Sequence, residues 1–185
     1  MKSLLETSEK VKKALAFATE KHKGQKRDGG EDYITHPIRV AQLVERYKKS
    51  KNIENILCAA LLHDTLEDTY TSPKEIADNF GDMVASMVVE LTTAKIVPKL
   101  IGKDVYIVNK MFNMTQYTLV IKLADRLDNI SDLNGVSPEK KERMLKETKT
   151  IVDKLKTKQD LTEAHKALIE EIDKVLENYK KSENK

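Results

Sequence analysis

One short stretch of the sequence concentrates side chains that can bind a metal ion. It reads H-D-T-L-E-D and contains one imidazole and three carboxylates, at His63, Asp64, Glu67 and Asp68. If the preceding helix continues through this stretch, spacings of three and four residues place the later carboxylates on the side of the His-Asp pair. Burying so much negative charge is costly unless a cation balances it. An imidazole nitrogen beside carboxylate oxygens suits Mn, Fe, Co or Zn better than Ca, so the pattern favours a transition-metal site.

Two further segments strengthen this interpretation. His36 stands at a predicted helix start in Y-I-T-H-P, and Asp125 lies within an apolar helical segment in K-L-A-D-R-L. A His-Asp dipeptide alone is weak evidence, because such a pair at a helix end is commonly exposed to water. An Asp within an apolar helix, however, is rarely buried without a partner. We therefore interpret His36 and Asp125 as members of the same site.

The elements that position these residues are predicted to be helices. The chain has only 6 Gly and 4 Pro in 185 residues, and Leu, Lys, Glu and Ala are abundant, which favours an all-α fold. Apolar residues at three- and four-residue spacings mark the individual helices. The sequence predicts helical segments at 4–23, 35–47, 53–65, 72–79, 82–92, 104–114, 117–133, 137–156 and 162–179, with loops at 24–33 and 93–103, the second a candidate lid.

Length and charge narrow the class of protein. A chain of 185 residues allows one domain with a real core and is short for two. With 33 basic and 30 acidic residues, the balance does not indicate a dedicated nucleic-acid binder. No segment approaches the roughly 20 apolar residues of a membrane helix, and the first residues lack a signal-peptide stretch. The single Cys58 lies in an apolar run and reads as a reduced core thiol. We expect a cytoplasmic protein with neither nucleic-acid nor membrane partners.

Four motifs together resemble a known family. They are H-K-G-Q-K-R, Y-I-T-H-P-I-R-V-A, A-A-L-L-H-D-T-L-E-D-T and I-K-L-A-D-R-L-D-N, and they stand in the order seen in the HD superfamily. The chain resembles in particular the small stand-alone alarmone hydrolases of the RelA/SpoT type. The resemblance implies a single-domain HD-type helical bundle over residues 1–185, with core motifs at about 16–151 and charged C-terminal helices at 137–180.

The same resemblance implies a reaction and a cofactor. The reaction is hydrolysis of the 3′-pyrophosphate of guanosine tetra- or pentaphosphate, and the cofactor is one Mn²⁺ ion or another divalent transition metal. Glu67 and Asp68 match the pair that assists the nucleophilic water in the family. The ligands implied for the ion are His36, His63, Asp64 and Asp125.

The resemblance also implies residues that hold the nucleotide. Arg27 matches a position that faces the base, and Asn129 matches one that contacts the sugar. Lys110 and Arg143 match basic positions that face phosphates, although isolated Lys and Arg side chains are usually only solvated.

Other polar residues in the motifs are interpreted as structural. We expect Thr35, Lys122 and Arg126 to brace the site or to pair with its carboxylates. His22 is interpreted as a structural hydrogen-bonding residue, and His165 is expected to have no catalytic role.

Several positions depart from the alarmone pattern and leave the substrate open. Asp28 stands where the family has a Lys, and Asp128 replaces a His or Tyr. After the apolar Ile130 the family has an Arg, whereas this chain has Ser131 and Asp132. The rim is thus more acidic than a ligand with two pyrophosphates favours. One alternative is a phosphohydrolase for another nucleotide, such as an adenine alarmone, a nucleoside monophosphate or the 2′-phosphate of NADPH. Another is a non-catalytic nucleotide sensor, against which the complete metal and Glu-Asp set argues. The sequence leaves an oligomeric state open.

Overall fold

Helices account for the regular structure of the chain. The computed structural model describes residues 2–94 and 96–183, and these residues form helices, turns and one isolated bridge between Lys26 and Asp32, without a β-strand. The prediction of an all-α fold is confirmed. The chain divides into two compact units, Met1–Thr93 and Ala94–Lys185, and each is described by itself.

The first unit is organised around one apolar helix, α4. This helix packs against α2, α3 and α7, and every side chain from Ile56 to Leu62 is fully buried. Because it is apolar on nearly all sides, it can only be stable at the centre of the unit. His63 and Asp64 follow directly at its C-terminal end. The helices of this unit are α1 (Leu4–Thr7), α2 (Glu9–Lys21), α3 (Thr35–Tyr47), α4 (Ile53–Leu62), α5 (Thr65–Asp68), α6 (Pro73–Phe80) and α7 (Asp82–Leu91).

Two predicted helices in this unit are divided in the structure. The segment 4–23 contains α1 and α2, because the Ser8 hydroxyl caps the second helix by accepting from Val11 N at 3.4 Å. Serine competes with helix continuation in this way. The segment 53–65 ends earlier than expected, since α4 stops at Leu62 and α5 begins at Thr65. The apolar pattern that defines α4 stops at the same residue.

The second unit is organised around α10, which packs against α11 and α12. The apolar side chains of α10, including Leu119, Leu123 and Ile130, are fully buried. The predicted loop at 93–103 contains a short helix, so that prediction was wrong for residues 97–101; Pro98 is compatible with it because it lies in the first turn. The helices are α8 (Val97–Ile101), α9 (Lys103–Asn113), α10 (Gln116–Ser131), α11 (Pro138–Leu155) and α12 (Glu163–Glu183).

Among residues 2–94 and 96–183, no helix combines the length and the apolar character needed to cross a bilayer.

The single cysteine lies in the core, as its apolar neighbours predict. Cys58 is fully buried, and burial raises the pKa of its thiol to about 12. Because the thiolate is the reactive form, we expect native protein at pH 8 to react with a thiol reagent at least about 100-fold more slowly than urea-unfolded protein. The absorbance of the released chromophore measures both rates. Equal rates in the two states would show that the thiol is accessible in the folded chain.

Candidate metal site

His63 presents one defined nitrogen to the site. It is almost fully buried at the C-terminal end of α4, and its Nδ1 lies 2.8 Å from the carbonyl oxygen of Ala60. A carbonyl only accepts hydrogen bonds, so Nδ1 carries the proton and donates. In the neutral ring, Nε2 therefore presents its lone pair. A backbone contact that fixes the tautomer in this way is typical of histidines that bind metals.

His36 and Asp64 converge on this nitrogen. His36 lies in the first turn of α3 and is 1% exposed. The Oδ2 atom of Asp64 lies 3.1 Å from His63 Nε2 and 3.7 Å from His36 Nε2. The two imidazole rings meet edge to face, with centroids 5.2 Å apart. Within the first unit, the structure thus brings together His36, His63 and Asp64.

The spacing of these atoms fits a transition-metal ion. Bonds of about 2.1 Å to nitrogen and oxygen place neighbouring ligand atoms roughly 3.0 to 3.4 Å apart in octahedral or tetrahedral geometry. The contacts of Asp64 Oδ2 with the two imidazoles, at 3.1 and 3.7 Å, are close to that range. Two imidazole nitrogens and one carboxylate oxygen form a donor set that suits Mn, Fe, Co or Zn. The residues present therefore fit the ion that the sequence implied.

Tyr33 is part of this cluster, although its motif predicts no role for it. Its hydroxyl donates to Asp64 Oδ2 at 2.6 Å and lies 3.4 Å from Asp68 Oδ2. Its ring stacks on His22, with centroids 4.8 Å apart, and contacts the edge of His36. The only sequence signal was its place three residues before His36 in Y-I-T-H-P.

The two predicted catalytic carboxylates lie on α5, next to the cluster. Glu67 is half-buried, and its Oε1 accepts a short hydrogen bond from the backbone N–H of Thr93. Asp68 is exposed as a residue, but partial withdrawal of its carboxyl from water raises its pKa, and the charges of Asp64 and Glu67 raise it further. This crowding of negative charge is the situation that a bound cation relieves.

In the second unit, Asp125 lies on α10 within a small polar network. It is 5% exposed. Its Oδ2 pairs with Lys122 Nζ at 2.9 Å, and its Oδ1 accepts from Asn129 Nδ2 at 2.5 Å. Lys122 therefore pairs with Asp125, one of the carboxylates predicted for the site. A buried carboxylate oriented by two neighbours is prepared to act as a ligand, and its role as the fourth ligand stays a prediction.

The ion pair in this network gives a prediction about stability. Replacing Lys122 with methionine keeps most of the side-chain volume but leaves Asp125 buried without its cation. We expect a loss of about 3 kcal/mol in the free energy of unfolding without metal, measured by urea titration. Lys149→Met is the control, because Lys149 forms an exposed helical pair with Asp153 and its loss should not be measurable. Equal effects of the two substitutions would contradict the importance of the buried pair.

The remaining basic residues of the motifs have different settings. Arg126 pairs with the buried Glu147 of α11, which also contacts Lys103 Nζ at 3.4 Å; it therefore joins α10 to α11. Arg27 is half-buried in the turn after α2, where its backbone N–H donates to the carbonyl oxygen of Glu31.

Two predicted phosphate-binding residues lie in the second unit. Lys110 on α9 lies near the Tyr106 ring, with Nζ 5.9 Å from the centroid, and Arg143 is exposed on α11. Together with Arg27 and Asn129, they stay predictions as nucleotide-binding residues.

Two histidines outside the predicted ligand set form local polar contacts. His22 contacts Gln25 Oε1 through Nδ1 at 2.8 Å. His165 is fully buried in α12, where its Nε2 lies 3.0 Å from Gln116 O. The Thr35 hydroxyl forms a hydrogen bond within its own turn, donating to the carbonyl oxygen of Asp32 at 2.9 Å.

The helical fold and the histidine-aspartate cluster define the class of protein. The chain matches the HD domain family over residues 14–162, and it belongs to that family. The matched range includes residues of both compact units.

Within this family, relatives of the alarmone-hydrolase type are similar to the chain. A guanosine-3′,5′-bis(diphosphate) 3′-pyrophosphohydrolase of Aquifex aeolicus is 39% identical over 153 residues. The aligned part is 78% of this chain and 20% of that protein, so the chain spans about a fifth of this relative. The human protein of that name, MESH1, is 41% identical over 128 residues, which are 68% of this chain and 70% of MESH1.

A solved structure of the same type is also similar to the chain. A metazoan ortholog of SpoT, described as hydrolysing ppGpp, superimposes with a TM-score of 0.78 at 28% identity. The superposition covers 93% of this chain and 96% of that chain. The resemblance to alarmone hydrolases of the RelA/SpoT type is confirmed.

Proposed function

We propose that the chain is a metal-dependent hydrolase that removes the 3′-pyrophosphate of guanosine tetra- or pentaphosphate. The observation that carries the proposal is the convergence of His36, His63 and Asp64 at distances that fit ligands of one transition-metal ion. The relatives named as 3′-pyrophosphohydrolases support the substrate and the position of cleavage. Guanosine tetraphosphate and water would give guanosine diphosphate and pyrophosphate.

The proposed cofactor is one Mn²⁺ ion held by His36, His63, Asp64 and Asp125. When bound, such an ion supplies an acidified water and neutralises charge on the phosphate oxygens. The buried pairing of Asp125 with Lys122 and Asn129 supports its assignment as the fourth ligand.

The chain's own carboxylates would move the proton in this reaction. Glu67 or Asp68 accepts the proton of the attacking water, because both stand on the short helix that follows His63 and Asp64. A positioned carboxylate contributes about 10²- to 10⁴-fold to such a step. Thr93 N–H holds one oxygen of Glu67 and so limits its motion.

Nucleotide binding is proposed for four polar residues. Arg27 would face the base and Asn129 the sugar, while Lys110 and Arg143 would contact phosphates. The proposed substrate is therefore a small nucleotide. No nucleic-acid or membrane partner is proposed.

A different nucleotide is the second candidate, and the acidic positions favour it. Asp28 is exposed beside Arg27, and Asp132 follows α10 in partial contact with water. Carboxylates at these places would repel a ligand that carries two pyrophosphates. They would be tolerated by a nucleotide with fewer phosphates.

A panel of substrates with metal-loaded protein separates the candidates. The panel contains guanosine tetraphosphate, its adenine counterpart, nucleoside monophosphates and NADPH, with released phosphate and pyrophosphate both measured. The proposal expects the highest kcat/KM for guanosine tetraphosphate. A higher value for another nucleotide would establish the second candidate, and tight binding without cleavage would identify a sensor.

Two further proposals concern organisation and location. We propose that residues 1–185 belong to one domain with core motifs at about 16–151 and charged helices at 137–180. We also propose a cytoplasmic location, as the composition indicated. Light scattering tests whether the protein forms an oligomer.

A further inference from the structure

We propose that Tyr33 is a positioning residue that sets the orientation of the Asp64 carboxylate, and with it the affinity and geometry of the metal site. The inference rests on the proposed metal chemistry. It concerns a residue that contacts a predicted metal ligand and is not itself one of the predicted ligands.

Three groups converge on a single oxygen of Asp64. The Tyr33 hydroxyl donates to Oδ2 at 2.6 Å, and the Nε2 atoms of His63 and His36 lie 3.1 and 3.7 Å from the same atom. A hydrogen bond to an ionised carboxylate is shorter and stronger than a neutral one. The hydroxyl therefore holds Oδ2 against the imidazole nitrogens, which is the arrangement that ligation of one ion requires.

The ring of Tyr33 is held in place from two sides. It stacks on His22, with centroids 4.8 Å apart and 29° between the planes. It also packs edge to face with His36, and the centroids of these two rings are 6.0 Å apart. Its backbone N–H donates to Gln25 O at 3.0 Å. A ring fixed in this manner gives its hydroxyl one position.

Gln25 connects this support to α5, the helix that carries Glu67 and Asp68. Its Nε2 donates to the carbonyl oxygen of Asp68 at 2.9 Å, so its Oε1 faces Nδ1 of His22 at 2.8 Å. His22 is 2% exposed, and its Nε2 has no hydrogen-bond partner among the described residues. Leaving a buried ring nitrogen without a hydrogen-bond partner costs about 1 to 3 kcal/mol, so hydrogen bonding alone does not explain a histidine at this position. The stacking of its ring on Tyr33 does explain it.

Removing only the hydroxyl should release Asp64 while leaving the packing intact. Tyr33→Phe keeps the ring that contacts His22 and His36. With the donor gone, the carboxylate can rotate away from the two imidazoles. Loss of a group that orients a metal ligand typically weakens affinity 10- to 100-fold. We expect a weakening of this size for Mn²⁺.

The test compares Tyr33→Phe with Tyr47→Phe in the full chain. Tyr47 is the last residue of α3, the helix that carries His36, and its ring contacts Arg46. Competition with a fluorescent chelator measures the Kd for Mn²⁺, and the visible absorption of Co²⁺-loaded protein reports the ligand geometry. Urea unfolding of the metal-free proteins measures stability separately.

The expected result is a 10- to 100-fold higher Kd and an altered Co²⁺ spectrum for Tyr33→Phe alone. Unchanged affinity and spectrum would overturn the proposal, as would lowered stability without either change, because that result indicates a purely structural role. Neither readout involves a nucleotide. A failure to cleave guanosine tetraphosphate would thus count against the proposed substrate, and not against the role of Tyr33.

Discussion

Replacing His63 with alanine is expected to abolish metal binding and hydrolysis together. The Nε2 atom of His63 lies 3.1 Å from Asp64 Oδ2, so its removal takes one of the two imidazoles from the cluster. Metal ions contribute several kcal/mol to reactions of this type, so kcat/KM should fall by roughly 1,000-fold or more. Metal content after dialysis, measured by mass spectrometry, and the rate of pyrophosphate release are the two measurements. Asp125→Ala should give the same result if Asp125 is the fourth ligand.

The control for His63→Ala is the loss of another buried imidazole. His165 is fully buried in α12 and bonds to the backbone oxygen of Gln116. His165→Gln should therefore keep the metal content of the unmodified protein, even where its stability is lower. Circular dichroism confirms that each variant is folded before it is compared. Retention of a full equivalent of metal by folded His63→Ala would contradict the ligand assignment.

Glu67→Gln is expected to retain the metal and lose most of the turnover. Glutamine has the same shape, and its Oε1 can still accept from the Thr93 N–H. The amide cannot accept the proton of the attacking water at neutral pH. We expect kcat to fall about 10²- to 10⁴-fold with metal content unchanged.

Glu54→Gln is the matched control for this substitution. Glu54 is exposed in the first turn of α4, the helix that leads to His63. Its replacement should leave kcat within twofold of the unmodified protein. If Glu67→Gln also kept its full kcat, the proton-accepting role would belong to another group, and Asp68→Asn would be the next variant.

The apolar pattern predicted the fold best where many apolar residues of one helix are buried. The buried run that forms α4 and the apolar positions of α10 were readable from local spacing alone. The boundary at Ser8 was missed because a hydroxyl that caps a helix competes with apolar periodicity over only a few residues. The short helix α8 was missed because Pro98 and Gly102 obscure a five-residue pattern.

For the site, motifs predicted residue types better than their contacts. The grouping of His36 with His63 and Asp64 followed from the order of the motifs, and the structure brings them together. The contact of Tyr33 with Asp64 joins residues 31 positions apart, and no local pattern specifies such a contact. The lone pair of His63 Nε2, in contrast, follows from the bond of Nδ1 to Ala60 O, three residues earlier.

The most direct test of the central claim is the identity of the products. Mn²⁺-loaded protein is incubated with guanosine tetraphosphate, and phosphorus NMR follows the reaction with and without a chelator. The account predicts guanosine diphosphate and pyrophosphate in equal amounts, and no reaction when the metal is removed. An intact substrate with Mn²⁺, Co²⁺ and Zn²⁺ alike, or release of orthophosphate in place of pyrophosphate, would contradict it.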